Sequence, residues 1–220
     1  GYTLLVGVDE GAVAGVAAVS TGEETKDLGT KTADPKNMHL FPNEGFKYSL
    51  ADVKGPQPDW QDVRDVPHGK VSYTYYHSDV VGFDRPVCIY TPAGYDPTSD
   101  ERYPVLYLIH GMTDTYETWF KVGRVNNILD NLIAEGKAKE MIIVLPYGNP
   151  AKYYPAGTFD FRKGDVFSKD LLNDLMPYVE ANYRTLNDRD SRAIGGFSRG
   201  GNQGLSFGLN NLDKFSYLCC

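Results

Sequence analysis

The residues best suited to chemistry lie near the end of the chain. Gly196-Phe197-Ser198-Arg199-Gly200 has the spacing of a serine held on a sharp turn between a strand and a helix. Such a turn lifts the hydroxyl above a sheet and strains the serine backbone. It also requires small residues two before and two after the serine, to avoid collision. A serine presented this way is a nucleophile for acyl transfer, given a base to take its proton and amides to hold the oxyanion.

The pattern alone is weak. With 23 glycines in 220 residues, composition would produce one in roughly every several such sequences. Context strengthens it. Ala193-Ile194-Gly195 reads as a buried strand before the turn, and Asn202–Leu209 as a helix after it. Upstream, Val105–Ile109 is a buried strand that ends in His110-Gly111-Met112. The loop after such a strand supplies one oxyanion donor and the residue after the nucleophile supplies the other. The expected site is therefore Ser198 with the backbone N–H groups of Met112 and Arg199, supported by Gly111, Gly196, Gly200 and His110. The rival reading of Ser198 as an ordinary turn serine leaves both glycines and the strand unexplained.

His110 precedes the nucleophile and closes a buried strand, which suits a hydrogen-bonded histidine shaping the loop better than a general base. His68, in Pro67-His68-Gly69, reads as a turn residue. His39 and His77 have no metal-ligand spacing with another His or Cys, so no metal and no cofactor is expected. Trp119 follows the oxyanion segment and either lines an aromatic substrate pocket or packs structurally.

The elements that must position these residues follow from periodicity. Val71–His77 alternates and Val87–Tyr90 follows as a second strand. The apolar runs Val105–Ile109 and Met141–Leu145 read as strands buried on both faces. Between these two runs, Val125, Ile128, Leu129, Leu132 and Ile133 mark one helix face, with Gly136 as its C′ stop. A second helix is expected from Phe167 to Tyr183, bent by Pro177. Strands alternating with helices imply an α/β, doubly wound parallel sheet. Residues 1–60 differ: the apolar runs Tyr2–Val8, Val13–Val19 and Tyr48–Val53 lie between turn signals such as Asp34-Pro35 and read as antiparallel strands. Lys54–Pro58 reads as a linker. Two units are thus expected, a small β-rich segment over 1–60 and an α/β domain over 61–220.

Tyr103-Pro104-Val105-Leu106-Tyr107-Leu108-Ile109-His110-Gly111, the stretch Gly123–Lys137, and Ser198-Arg199-Gly200-Gly201 together resemble the feruloyl esterases of carbohydrate esterase family one. Asp170-Leu171-Leu172, Met176-Pro177-Tyr178-Val179-Glu180 and Leu212-Asp213-Lys214-Phe215 are similar too. The resemblance implies an α/β-hydrolase fold and a serine carboxylesterase acting on feruloylated arabinoxylan, secreted or held at the cell surface. Two rivals stand beside it. One is an acetylxylan or other small-acyl esterase; the other is a carbohydrate-binding protein with an inactive esterase part. Residues 34–37 and 49–55 resemble, more loosely, the end of a glycogen-binding-type β-sandwich module.

In such hydrolases the orienting acid and the base follow the serine. After Ser198 there is no histidine, and of the acids only Asp213, which the family pattern places on a surface turn. A fragment, or one piece of a divided fold, is the expectation. The net charge of −7 and pI near 5.1 argue against nucleic acid as a partner. No run approaches the roughly 20 apolar residues of a membrane span. No basic stretch precedes the first apolar one, so no signal peptide is read.

Overall fold

In the computed structural model, residues 2–6, 33, 36–37, 39–45, 48–53, 59–149 and 166–220 are described. The elements in chain order are β1 (Tyr2–Val6), β2 (Ser49–Val53), β3 (Lys70–Ser78), β4 (Phe83–Thr91) and β5 (Val105–Ile109). Helices α1 (Thr118–Lys121) and α2 (Val125–Ala134) follow, then β6 (Ile142–Pro146), α3 (Val166–Asp170) and α4 (Met176–Asn182). The chain closes with β7 (Arg192–Gly196), α5 (Arg199–Asn210) and β8 (Tyr217–Cys219). The apolar run Val13–Val19, the Asp34-Pro35 turn and the linker 54–58 lie outside the described residues.

Among the described residues six strands form one sheet in the order β3-β4-β6-β5-β7-β8. The run β6-β5-β7-β8 is parallel, and the β3–β4 hairpin adds two antiparallel strands on one side. Alternation along the strands assigns each residue to a face. Val105, Tyr107 and Ile109 of β5, with Val87 and Ile89 of β4 and Ile142 and Val144 of β6, pack under Phe167, Leu171, Leu175, Val179 and Phe207. The alternate residues Leu108, Cys88, Tyr90, Ile143 and Leu145 meet Leu129 with Trp119, Phe120, Val125 and Ile133. Helices α1 and α2 therefore cover one face, and α3, α4 and α5 the other. This is the doubly wound α/β-hydrolase arrangement.

Two helix ends show how sequence sets the details. Helix α2 stops in a left-handed Gly136 (φ 67°). The Gly136 N–H donates to the Ile133 carbonyl and the Lys137 N–H to that of Leu132, which satisfies carbonyls a bare helix end would orphan. Pro177 does not end the second helix. Residues Leu171–Leu175 between α3 and α4 adopt a π turn, and the Met176 N–H donates to the Leu171 carbonyl, five residues back. Proline removes a donor and crowds the carbonyl four residues before it. A wider turn immediately upstream absorbs that crowding without breaking the helix.

Contacts cross the compositional change at residue 60. Strands β1 and β2 pair antiparallel. His39–Phe41 runs beside Tyr48–Leu50, with the Leu50 N–H donating to His39 and the Phe41 N–H to Tyr48. The tip of that hairpin, residues 42–45, reaches the loop after β5.

Candidate active site

The turn at Ser198 is strained as its motif demands. Ser198 has φ 56° and ψ −119° and is the N-cap residue of α5. It is exposed, at the C-terminal edge of β7. A non-glycine residue in such a region costs on the order of 1–3 kcal/mol, which surrounding structure must offset. The flanking glycines are required by contact. A Cβ on Gly200 would lie 2.3 Å from the Ile109 carbonyl oxygen and 2.4 Å from that of His110. One on Gly196 would lie 2.5 Å from the same Ile109 oxygen. Helix α5 can thus start directly above the end of β5. Gly204 and Gly208 continue the stripe at four-residue spacing, against Gly195 and Leu218.

The Ile109 carbonyl joins three segments. It accepts the Phe197 N–H at 3.2 Å and the Trp119 indole N–H at 3.0 Å. The next residues, Gly111 to Asp114, form the loop in which one oxyanion donor is expected. Gly111 lies against the Phe197 ring, its Cβ position 3.2 Å from Cδ1. Thr113 is left-handed at φ 64°, and Met112 between them is exposed. The structure therefore sets the Met112 loop against the Ser198 turn, with the Arg199 amide in the first turn of α5.

His110 points away from this surface into the core. Its Nε2 accepts the Gly148 N–H at 2.9 Å, so Nδ1 carries the proton and donates to the Gly111 carbonyl at 2.8 Å. Burial depresses its pKa to about 4, and the ring is neutral near pH 7. It stacks on Tyr147. Behind Tyr147 lies a polar group that sequence reasoning did not single out. Arg85, fully buried, donates to the Tyr147 carbonyl and pairs through Nε with Asp170 Oδ2 at 3.1 Å. Tyr76 donates to the same carboxylate at 2.7 Å. The signal was available: an Arg at the head of a buried strand run and an Asp inside an apolar helix face need each other.

The remaining histidines are engaged elsewhere. His68 binds Asp130 Oδ2 through Nδ1 at 3.0 Å and the Arg64 carbonyl through Nε2, and Asp130 raises its pKa. Asp130 also accepts from Gly69 and Tyr90, tying the entry to β3 onto α2. His77 meets Asp84 and Asp79 at the surface. His39 lies in the N-terminal hairpin. Among the described residues no hydrogen bond joins a histidine to Ser198, and no group of three His, Cys, Asp or Glu could hold a metal ion. Asp213 is exposed on the turn after α5.

Beside Ser198 lies a cavity of about 560 Å³, lined by Trp119, Phe197, Asn202, Leu205, Gly201 and Cys220. Its walls are mostly apolar, with two aromatic rings near the hydroxyl. A cavity of this size suits a small ligand.

Residues 78–220 match the family described as "Putative esterase". The chain belongs to this esterase family. The esterase is 35% identical over 189 residues to an endo-1,4-beta-xylanase/feruloyl esterase of Xylanibacter ruminicola, an alignment covering 84% of this chain and 26% of that protein. Among solved structures it resembles a CE1 ferulic acid esterase of Anaeromyces mucronatus in complex with ferulic acid. The identity is 31% and the TM-score 0.64, over 76% of this chain and 63% of that one. It also resembles the feruloyl esterase module of Clostridium thermocellum complexed with sinapinate, at 27% identity and TM-score 0.61, over 79% of this chain and 61% of that module. The esterase thus spans about a quarter of the curated relative and under two thirds of these solved chains.

Proposed function

We propose that this esterase cleaves hydroxycinnamoyl esters, feruloyl groups on plant cell-wall xylan, through an acyl-enzyme on Ser198, and acts outside the cell that makes it. The observation that carries the reading is Ser198 itself, held at positive φ on the N-terminus of α5 beside an aromatic-walled cavity. A strained, exposed serine with glycines forced by backbone contact on both sides has no role in packing. The names of its relatives supply the acyl group and the polysaccharide.

Ser198 Oγ attacks the ester carbonyl and its proton passes to a general base. The carbonyl oxygen becomes an oxyanion, which the Met112 and Arg199 amides stabilise. Collapse expels the sugar alcohol, and water then attacks the acyl-enzyme to release the free acid. Trp119 and Phe197 would hold the phenyl ring of the acyl group. None of His39, His68, His77 and His110 is assigned as the base, since among the described residues no hydrogen bond joins any of them to Ser198. No cofactor enters the scheme.

The test is hydrolysis of methyl ferulate by the full-length protein, compared with an acetyl ester and with Ser198→Ala. Ferulate release that disappears in Ser198→Ala is expected. A strong preference for the acetyl ester would replace the substrate with a small acyl group. Xylan binding with no Ser198-dependent turnover on either ester would sink the catalytic reading.

A further inference from the structure

The loop that carries Met112 is poorly held by its own bonds. Thr113 sits in the left-handed region, and the turn across the loop closes with a 3.3 Å contact from the Asp114 N–H to the Gly111 carbonyl. A loop that presents an oxyanion donor must nevertheless keep its peptide plane fixed, because the donor is useful only where the developing charge appears.

The missing restraint comes from seventy residues upstream. The Asn43 side-chain amide donates to Thr113 Oγ1 at 3.0 Å and to Asp114 Oδ1 at 3.2 Å. The Glu44 N–H donates to the Thr113 carbonyl at 2.6 Å. The Thr118 hydroxyl donates to the Pro42 carbonyl at 3.2 Å, and the Asn149 amide donates to Glu44 Oε2 at 2.8 Å. Asn43 is itself pre-set, since its side-chain oxygen accepts the Gly45 N–H at 2.8 Å and so turns its NH2 group toward the loop. The base of the hairpin is fixed as well: Asn37 donates to the Leu50 carbonyl and Ser49 to that of Asn37.

We infer that residues 42–45 are a strap that fixes the oxyanion loop, with Asn43 as a positioning residue for the amide of Met112. The inference rests on the esterase reading. Bonds to the carbonyl and hydroxyl of Thr113, one residue past Met112, restrict the rotation that would swing the Met112 N–H off line. The N-terminal segment is in that case part of the catalytic apparatus and not only an appendage to it. The Asp114 carboxyl, whose pKa burial raises and the Asn43 amide lowers, is the loop's half of the clasp.

Three full-length variants test this: Asn43→Ala, Asn43→Asp, and Asn43→Asp combined with Asp114→Asn. Asn43→Asp keeps the acceptor for Gly45 but removes both donors and sets one carboxylate beside another. The double variant restores a donor–acceptor pair with its direction reversed. Expected for both single variants is a kcat on methyl ferulate about 10-fold lower, at unchanged KM and melting temperature, since a mis-set oxyanion donor weakens the transition state and not substrate binding. The double variant should recover most of that kcat. Amide exchange across Gly111–Asp114 should quicken in the single variants and slow again in the double one. Wild-type kcat and unaltered exchange in Asn43→Ala would overturn the inference. So would a loss of kcat, KM and melting temperature together, without rescue. If the wild type hydrolyses no ester, the functional reading fails, and exchange alone still decides whether the strap fixes the loop.

Discussion

Substituting alanine at Gly200 puts a number on how closely α5 sits over β5. The added Cβ would stand 2.3 Å from the Ile109 carbonyl oxygen, where contacts under 3.0 Å are essentially never seen. About 0.7 Å must be found, and the obstacle is main chain in the middle of the sheet. The sheet cannot yield, so the start of α5 must, carrying Ser198 and the Arg199 amide with it. Overpacking of this kind costs about 1–3 kcal/mol, against a gain of about 1 kcal/mol from alanine's better helix propensity. A displacement approaching 1 Å at the nucleophile costs about 100-fold in rate. Thermal denaturation combined with kcat/KM on methyl ferulate would read both effects. The expected result is a modest fall in melting temperature beside a loss of turnover that is large by comparison. Gly208→Ala is the control. Its Cβ would meet side chains and not main chain, Leu218 Cδ2 at 2.0 Å and Ile194 Cγ2 at 3.1 Å, ten residues along the chain from Ser198. If Gly200→Ala retains wild-type turnover, or Gly208→Ala is equally inactive, the backbone-contact account of the turn is wrong.

Other outcomes follow from the same geometry. Replacing Asp170 with Leu strands the fully buried Arg85, and denaturation should show a loss of about 3–5 kcal/mol. Arg85→Met should cost less, because burial already raises the Asp170 pKa and the carboxyl can take a proton. His110 binds its proton less readily folded, at about 4, than at its ordinary 6.5. Its contribution is therefore full above pH 6.5 and is lost as pH falls toward 4, about 3 kcal/mol in all. Acid titration of stability, with its ring resonance unchanged above pH 5, would check this. His68 has the opposite sign. Asp130 raises its pKa, so its stabilisation is present below 6.5 and fades as pH rises through the folded value, which NMR titration would place above 6.5. Trp119→Phe removes the bond to the Ile109 carbonyl but keeps a ring in the cavity, so it should cost about 1 kcal/mol of stability and spare ferulate preference. Trp119→Ala should lose that preference.

Much of this was legible in the residues. The strand runs at 105–109, 141–145 and 192–196 are continuous and apolar because both faces are covered, and the structure places strands there to within a residue. Helix α2 was readable from its period and its Gly136 stop. Less legible were features that depend on what a residue meets across the fold. Pro177 foretells a disturbed helix, but whether it kinks or widens depends on the packing of Leu171 and Leu175 into the core. The antiparallel β3–β4 addition carries the same alternation as any strand, and nothing local gives its direction. Arg85 and Asp170 are 85 positions apart. Asn43 has an ordinary turn composition around it, and only the approach of the β5 loop gives its amide a partner.

The junction at Ile109 has a consequence for how this surface can vary. Two donors from distant parts of the chain end on one oxygen, and two glycines close over it. That oxygen belongs to the main chain, so no side-chain substitution at position 109 can delete it. Changes there alter the filling of the core but leave the anchoring point where it was. The loops around the serine can accordingly be rebuilt to admit a different acyl group while the geometry of bond cleavage stays in place. The turn at Ser198 and the Trp119 wall of the cavity hang from the same peg, and mutation at that position can remove neither attachment.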